Sequence, residues 1–329
     1  MTKTESIIRR DTAWAARFPR RIFARQKEAF LQTLDEELQG MGYLTQRVRV
    51  NTLLTNRLLV TTCAQPEVIF TAHYDTPTIM PFWLNPFFRI FGHTQQIPMM
   101  IVLIVALQVP SLVLGLIAAR FPALESATAA ALVAYFVILG VSLVTAAIPN
   151  PHNREDNTSG VIGLMALAEW AKDRPEIKAR VQFAFLDNEE WGMIGSGALK
   201  DWWRKQKHPY SQAQIINLDC ISRGKVPLIV HHGKDQLARR LLPFLQKHLP
   251  ETRLVNMGVI PLSDNYTFRK QGAVDITYTD AALFPGGYYV PKIHVIQDND
   301  LSAERLAACV SALTDFLQQP ESAQRREGA

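Results

Sequence analysis

Two uncharged apolar segments constrain the fold of this chain more than any other feature. They span residues 97–119 and 127–148, and only the link 120–126 separates them. Each segment is long enough to cross a bilayer as a helix, and so short a link allows only an antiparallel hairpin. Because a helix in a soluble core usually keeps one polar face, the pattern favours a transmembrane hairpin. A pair of buried helices in a soluble protein is the alternative.

The charges around the hairpin predict which side of the membrane the rest of the chain occupies. Both ends of the hairpin return to the same side, where Arg89 and Arg154 flank it, whereas the link carries only Arg120, offset by Glu125. The positive-inside rule then places the remainder of the chain in the cytoplasm. Three scattered cysteines without CxxC spacing fit a reducing compartment.

The N-terminal segment is strongly basic. Glu5 and Asp11 are the acidic residues before position 28, and they oppose eight basic ones: Lys3, Arg9, Arg10, Arg17, Arg20, Arg21, Arg25 and Lys27. The segment has no interleaved aromatic motif of the kind that stacks on bases. Beside a membrane, we expect it to mark the cytoplasmic face or to contact anionic lipid, rather than to bind nucleic acid.

The rest of the chain alternates strand and helix patterns. Strands are predicted at 43–50, 57–62, 67–72, 180–187, 213–219, 226–231, 273–279 and 291–295, and helices at 22–40, 159–172, 191–206, 234–248, 263–271 and 301–318. This order predicts an α/β fold with a mixed, mostly parallel central sheet, helices on both faces, and an inserted helical hairpin.

The same patterns suggest how the chain is divided. We predict that 1–90 and 150–318 form the α/β domain, that 97–148 is the inserted hairpin, and that 319–329 is a flexible tail. The aromatic stretch 81–91 just before the hairpin fits two roles equally well. It is either an anchor at the membrane interface or a lid over a site.

Ionisable side chains lie next to several of these predicted elements. His73 and Asp75 follow strand 67–72, Asp156 precedes helix 159–172, Glu189 and Glu190 follow strand 180–187, Asp219 ends strand 213–219, and His294 lies in strand 291–295. Singly, each has an ordinary explanation, such as a turn histidine, a helix N-cap or a solvated acidic patch. Ligands of parallel sheets bind beyond the carboxyl ends of the strands. The set therefore offers ligands for a metal pair and a free glutamate base, as metal-assisted hydrolysis of an amide bond requires.

Together these motifs resemble the co-catalytic, two-zinc aminopeptidases of metallopeptidase clan MH, which are relatives of glutaminyl cyclase. The resemblance covers about 40–80 and 150–318. It rests on His73-Tyr74-Asp75, Asp156-x-x-Ser159-Gly160, Glu189-Glu190-x-Gly192-x-x-Gly195-Ser196, Asn217-Leu218-Asp219, Ser263-Asp264-Asn265-Tyr266-x-Phe268 and His294. It implies the zinc-exopeptidase fold and two zinc ions per chain.

The resemblance implies a ligand set, taken residue by residue. Asp156 would bridge the two zinc ions. One ion would also bind His73 and Asp219, and the other would bind Glu190 and His294. All five positions carry residue types that zinc accepts.

Further roles follow from the same resemblance. Glu189 would be the general base, and Asp75 would orient the first histidine ligand. The bond after the bridging aspartate is often cis in the family, so Asp156–Asn157 is expected to be cis. One departure is Glu155, which stands where the family commonly has aspartate.

Three residues are candidates for substrate contacts. Asp264 and Asn265 lie in the turn that resembles the family's Ser-Asp-His motif, with Asn265 in place of the histidine. Tyr288 lies in the loop 282–291, which we expect to help form the specificity pocket.

The predicted function is that of a membrane-anchored zinc aminopeptidase that hydrolyses N-terminal residues from peptides. A glutaminyl-cyclase-like aminoacyltransferase is the second enzyme hypothesis, although glutaminyl cyclases use one zinc and need fewer ligands. A catalytically silent membrane scaffold is a third hypothesis from another class. The preferred N-terminal residue is not predicted, because it depends on the shape of loops.

Overall fold

The computed structural model describes residues 2–319, without the side chain of Thr145. Apart from Gln319, the predicted tail 319–329 lies outside the described residues. The chain divides into two compact units. The α/β unit falls within Met1–Pro77, Asn150–Asp280 and Val290–Ala329, and the hairpin unit comprises Thr78–Pro149 and Ala281–Tyr289.

The helices and strands of the described residues have the following bounds. The helices are α1 (Lys3–Arg17), α2 (Ala24–Gly40), α3 (Asn85–Phe91), α4 (Gln96–Arg120), α5 (Glu125–Val144), α6 (Gly160–Ala171), α7 (Pro175–Lys178), α8 (Ile194–Lys205), α9 (Gln236–His248) and α10 (Ala303–Leu317). The strands are β1 (Thr45–Asn51), β2 (Thr55–Thr61), β3 (Val68–His73), β4 (Val181–Leu186), β5 (Gln214–Leu218), β6 (Val226–His231), β7 (Arg253–Asn256), β8 (Val274–Ala281) and β9 (Tyr288–Tyr289).

The sheet of the α/β unit is mixed and mostly parallel, as predicted. Its strands follow the order β1-β2-β4-β3-β5-β8-β6-β7. β4, β3, β5 and β8 run parallel to one another, as do β6 and β7. The antiparallel pairs are β1–β2, β2–β4 and β6–β8. The fold-class prediction is confirmed.

Helices cover both faces of the sheet, which explains why its central strands are mostly apolar. All six residues of β3 are buried. Phe70 belongs to the buried apolar cluster on one face, which also contains Leu34 of α2 and Leu313 of α10. Ile69, which points to the other face, belongs to a second cluster with Trp203 of α8. A strand buried on both sides keeps a continuous apolar sequence.

The N-terminal segment is folded into the α/β unit. α1 begins with a capping box, in which the side chain of Thr2 accepts from the N–H of Glu5 and the Glu5 carboxylate accepts from the N–H of Thr2. Three of its eight basic side chains are buried, those of Arg10, Arg21 and Lys27. These three side chains are therefore not available for contact with lipid, and the expected role of the segment at a membrane stays a prediction.

The predicted strand 291–295 does not form. These residues lie in turns, and both Lys292 and His294 have left-handed backbones with φ of 59° and 55°. Pro291 lacks the N–H that a strand ladder needs, and no residue in a left-handed conformation continues a pleat.

The hairpin unit contains the two predicted apolar helices. α4 extends the predicted segment 97–119 by one residue at each end, whereas α5 begins two residues before the predicted segment 127–148 and ends four residues earlier, at Val144. The most apolar stretch of α4 contains no buried residue. Both are long and apolar enough to cross a membrane. The Tyr135 hydroxyl donates to Leu107 O at 2.8 Å and so joins the two helices. Since their apolar side chains are exposed, they are not a pair of buried core helices.

The aromatic stretch 81–91 folds within the same unit as a 3-10 turn and α3. Its Trp83 indole donates to the Ser142 hydroxyl at 2.8 Å. The backbone of Arg89 accepts from Leu283 N at 3.1 Å, so the segment 281–289 packs on α3. The anchor and lid roles for this stretch both stay predictions.

Candidate metal centre

Three neighbouring parallel strands bring most of the predicted site residues to one edge of the sheet. β3 ends at His73, β4 is followed by Glu189 and Glu190, and β5 is followed directly by Asp219. The register pairs Leu186 with His73 across β4 and β3. Since the strands run parallel, their carboxyl ends meet, and this is where such sheets bind ligands.

Asp156 lies between two histidines, one facing each oxygen of its carboxylate. His73 Nε2 is 3.3 Å from Asp156 Oδ1, and His294 Nε2 is 2.9 Å from Asp156 Oδ2. His73 Nε2 is also 3.5 Å from Asp219 Oδ1, and His294 Nε2 is 3.2 Å from Glu190 Oε2. The five residues thus form two groups of three that share Asp156.

The side chain of Asn157 holds the turn before α6, which carries Asp156. The Asp156–Asn157 bond is cis, as the resemblance implied. The Asn157 amide donates to Leu218 O at 2.9 Å, and its oxygen accepts from the N–H of Gly160 and of Cys220. Asn157 therefore ties this turn to the one that carries Asp219.

Two buried carboxylates that the sequence analysis did not assign support the same turn. Asp298 accepts from Glu155 N at 2.9 Å and from Asp156 N at 3.2 Å. The Glu155 carboxylate accepts from the N–H of Ser222 at 2.9 Å and of Arg223 at 2.8 Å. Glu155 thus has an anchoring role, and its longer side chain reaches the turn after β5.

Asp75 contacts both the first histidine and the turn after β4. Its Oδ1 is 3.4 Å from His73 Nδ1 and accepts from Glu189 N at 3.1 Å, while Oδ2 accepts from Glu190 N at 3.4 Å. Orienting the histidine, the role implied for Asp75, is compatible with this geometry. The contact with the Glu189–Glu190 backbone was not predicted.

Asp219 is held by a buried polar network that the sequence analysis missed. The Ser263 hydroxyl donates to Asp219 Oδ2 at 2.7 Å, and the amide of Asn217 donates to Ser263 Oγ at 2.9 Å. Asn217 accepts in turn from the Thr71 hydroxyl at 2.7 Å. The sequence feature that could have revealed this network is the presence of polar residues, Thr71 and Asn217, inside the buried strands β3 and β5.

The electrostatics of the cluster are dominated by burial and by the two histidines. Burial raises the pKa of Glu189 well above its ordinary value, and burial together with Asp156 raises the pKa of Glu190 to about 7. Burial also disfavours ionised Asp156, but the neighbouring imidazoles of His294 and His73 outweigh it and hold the pKa of that carboxyl well below its usual range.

The pKa values of the His73 and His294 imidazoles shift upward, opposite to that of the Asp156 carboxyl. Burial disfavours their charged forms, yet the carboxylates around them outweigh it, and the pKa of each lies well above its ordinary value. For His73 the largest opposing contribution is the charge of Asp219, and for His294 it is that of Glu190. The carboxylates of the cluster thus create a negative electrostatic potential, which favours a bound cation.

The residues present fit a metal ion in the manner of zinc. His73 is fully buried, and the oxygens that its two ring nitrogens face are 3.3–3.5 Å away. Those distances exceed the roughly 2.9 Å of a good hydrogen bond. Each group of three supplies imidazole nitrogen and carboxylate oxygen, the atoms that zinc binds.

The candidate substrate residues fall in different units. Asp264 and Asn265 are fully buried in the α/β unit, where the Asn265 amide donates to Val230 O at 3.2 Å. Burial raises the pKa of Asp264 to about 7, although the charge of His73 acts against it. Tyr288 lies in the hairpin unit. Substrate contact by all three stays a prediction.

Comparison with known proteins agrees with this geometry. Residues 153–314 match the model of peptidase family M28. No curated protein matches the chain by sequence. The matched range contains Asp156, Glu189, Glu190, Asp219 and His294.

Solved structures resemble the whole chain at low sequence identity. The Legionella pneumophila LapA aminopeptidase is 14% identical with a TM-score of 0.61, covering 95% of this chain and 70% of that one. A Bacteroides thetaiotaomicron glutaminyl cyclase bound to N-acetylhistamine is 15% identical (TM-score 0.62; 97% and 98% covered). A Zn-dependent exopeptidase from Parabacteroides distasonis is 14% identical (TM-score 0.62; 96% and 98% covered). At these identities the likeness shows the fold alone.

Proposed function

We propose that the chain is a zinc-dependent aminopeptidase of the M28 type, held in a membrane by α4 and α5. The observation that carries the proposal is the pair of three-residue groups that share Asp156. A lone carboxylate with different histidines on its two oxygens is suited to bridge two cations. The M28 match across 153–314 supports a peptidase.

The ligand roles follow from this arrangement. Asp156 would bridge, His73 and Asp219 would complete one site, and Glu190 and His294 the other. When bound, the ions would polarise the scissile carbonyl and lower the pKa of a coordinated water. The buried position of His73 would exclude bulk water from one side of the cluster.

Glu189 is the proposed general base. Its carboxylate groups with His73 and Glu190 but with neither of the sets that share Asp156, so we assign it to proton transfer rather than to metal binding. It would accept a proton from the attacking water and deliver it to the amine that leaves. The substrate is a peptide whose N-terminal residue is released.

The test uses the detergent-solubilised chain. We expect chelator-sensitive release of nitroaniline from aminoacyl-nitroanilides and about two zinc ions per chain. Glu189→Gln should abolish turnover while zinc content is kept, and the exposed Glu36→Gln serves as the matched control. Absence of bound metal, or unchanged turnover in Glu189→Gln, would overturn the proposal.

Glutaminyl cyclisation is the second candidate, because solved cyclases share the fold. Two complete groups of ligands favour the aminopeptidase, since the resemblance implies a single zinc for cyclases. Ammonia release from an N-terminal glutaminyl peptide, measured beside nitroanilide hydrolysis, separates the two. Cyclisation without hydrolysis would favour the cyclase, and neither activity in a zinc-loaded chain would favour a silent scaffold.

The proposed topology places the α/β unit in the cytoplasm and the link between α4 and α5 outside. Cysteine introduced at exposed Ala123, in that link, should react with an impermeant maleimide in intact cells. Cysteine at exposed Lys207 should react after lysis only. The reverse pattern would overturn the assignment.

A further inference from the structure

Arg21 is a buried cation that joins two turns of the candidate metal centre. Its side chain is 1% exposed and lies in the segment between α1 and α2. Its Nε donates to Tyr74 O, and its backbone N–H donates to the Thr76 hydroxyl at 2.9 Å. Its Nη2 donates to Thr158 Oγ1 at 2.8 Å. It therefore contacts the turn after His73 and the turn that carries Asp156.

Lys27 is a second buried cation, and it contacts a third turn. Its Nζ is 2.5 Å from Asp187 Oδ1 and donates to Asn188 Oδ1 at 2.6 Å. The Lys27 and Asp187 side chains are 4% and 0% exposed. Asp187 and Asn188 directly precede Glu189 and Glu190. The segment 18–27 thus reaches all three turns through two cations.

Burial makes these contacts energetically significant. A buried charge is costly unless it is paired and hydrogen-bonded, and removal of one partner leaves the other uncompensated. Burial lowers the pKa of Arg21 to about 10, although the charges of Asp75 and Asp156 oppose this shift, so the guanidinium stays charged at neutral pH. Its donor fork can hold several carbonyl and hydroxyl acceptors in fixed directions.

We propose that the segment 18–27 positions the metal ligands, with Arg21 and Lys27 fixing the three turns relative to one another. This proposal rests on the proposed function, because it takes those turns to carry the metal ligands. Both residues act through the turns and are positioning residues. The segment precedes the matched family range 153–314. Partners outside the ligand set typically change metal affinity about 10–100-fold.

Arg10 provides a matched control for the loss of a buried arginine. It is 4% exposed, and its guanidinium pairs with Glu37 at 3.0 Å and Glu169 at 2.8 Å, away from the three turns. Arg21→Met and Arg10→Met should both lower the thermal unfolding midpoint. Arg21→Met alone should weaken zinc binding by about 10–100-fold, measured on the full-length chain in detergent by competition with a chromophoric chelator.

A milder pair of variants covers the case in which Arg21→Met does not fold. Thr158→Val removes the hydroxyl that accepts from Arg21, and Thr252→Val removes a buried hydroxyl that donates to Leu249 O at 2.6 Å. We expect weaker zinc binding in Thr158→Val and unchanged binding in Thr252→Val. Arg21→Lys, which keeps the charge and loses the fork, should restore part of the affinity lost in Arg21→Met.

The outcomes separate this proposal from the proposed function. Equal zinc affinity in wild type, Arg21→Met and Thr158→Val would overturn the positioning role while leaving a peptidase possible. A wild-type chain that binds zinc but hydrolyses no peptide would overturn the function, and the zinc titrations would still decide the positioning role. A wild-type chain that binds no zinc would overturn both.

Discussion

The carboxylate of Asp75 accepts a hydrogen bond from the backbone N–H of Glu189 at 3.1 Å. The proposed base and the acid proposed to orient His73 are therefore coupled directly. Asp75→Asn keeps the size of the side chain but replaces one acceptor oxygen with a donor. We expect turnover to fall about 10–100-fold, the usual cost of losing such a partner.

The measurement is nitroanilide hydrolysis with zinc content determined on the same samples. Asp173→Asn, at an exposed position after α6, is the control and should leave turnover unchanged. Equal turnover in Asp75→Asn and wild type would contradict an orienting role for Asp75.

Because Asp156 stands in both groups of ligands, its loss should affect zinc binding more than the loss of either histidine. His73→Ala should lower zinc stoichiometry by about one ion, and His294→Ala should do the same, because each histidine stands in one of the two groups that share Asp156. Asp156→Asn should weaken both sites, since it stands in both groups. Metal analysis after dialysis against a weak chelator checks this. Loss of a single ion in Asp156→Asn would contradict the bridging role.

Gly195 is required by close packing against Asp187, in the turn that leads from β4 to Glu189. A Cβ at this position would lie 1.6 Å from Asp187 O. Since backbone atoms cannot yield as a flexible side chain does, Gly195→Ala should lower the free energy of unfolding by at least about 1–3 kcal/mol and displace the turn.

Gly197 in the same helix is the matched control. A Cβ there would meet no atom within 4 Å. Gly197→Ala should be neutral or stabilise α8 by about 0.5–1 kcal/mol, because alanine has the higher helix propensity. Denaturant titration measures the free energy of unfolding of both variants. An equal change in Gly195→Ala and Gly197→Ala would contradict the packing argument.

Local sequence patterns predicted most of the α/β unit but missed its long-range contacts. Apolar runs such as Val68–Ala72 identified the strands, and the residues that follow them were therefore grouped correctly at one edge. The strand predicted around His294 was wrong, because Pro291 and two left-handed residues place this histidine in turns. α1 was missed although Thr2 and Glu5 carry the pattern of a capping box.

The long-range contacts of Arg21 and Lys27 leave no local pattern in the sequence. Arg21 and Lys27 stand among other basic residues, and a basic run ordinarily forms a solvated surface. Their acceptors in the three turns lie 53 to 161 positions away along the sequence, at Tyr74, Thr76, Thr158 and Asn188. No local periodicity reports a contact of that separation.

The exposed apolar surface of α4 and α5 predicts insertion into the membrane. Ile104 and Val137 are 55% and 57% exposed. An aspartate near the centre of a membrane helix costs about 2.5–3.5 kcal/mol, so Ile104→Asp combined with Val137→Asp should increase the fraction released by alkaline extraction of membranes. Leu53→Asp, at a position 87% exposed between β1 and β2, is the control. Complete release of the wild-type chain would contradict insertion.

His208 makes stability depend on pH in a predictable direction. Its ring stacks on Trp203 with centroids 4.8 Å apart, and burial lowers its pKa below the ordinary value of 6.5. The unfolded chain then binds a proton more readily than the folded one, so this contribution is full above pH 6.5 and is lost as the pH falls below it.

His208→Phe keeps the stacking and removes the titration. Between pH 7.5 and pH 5.5 the unfolding midpoint of wild type should therefore fall further than that of His208→Phe, with both chains in excess chelator so that metal binding does not contribute. His152→Gln, at an exposed histidine, should keep the wild-type slope. If His208→Phe shows the same pH dependence as wild type, the buried imidazole is not the source, because the variant retains the ring contact and lacks only the ionisable nitrogens.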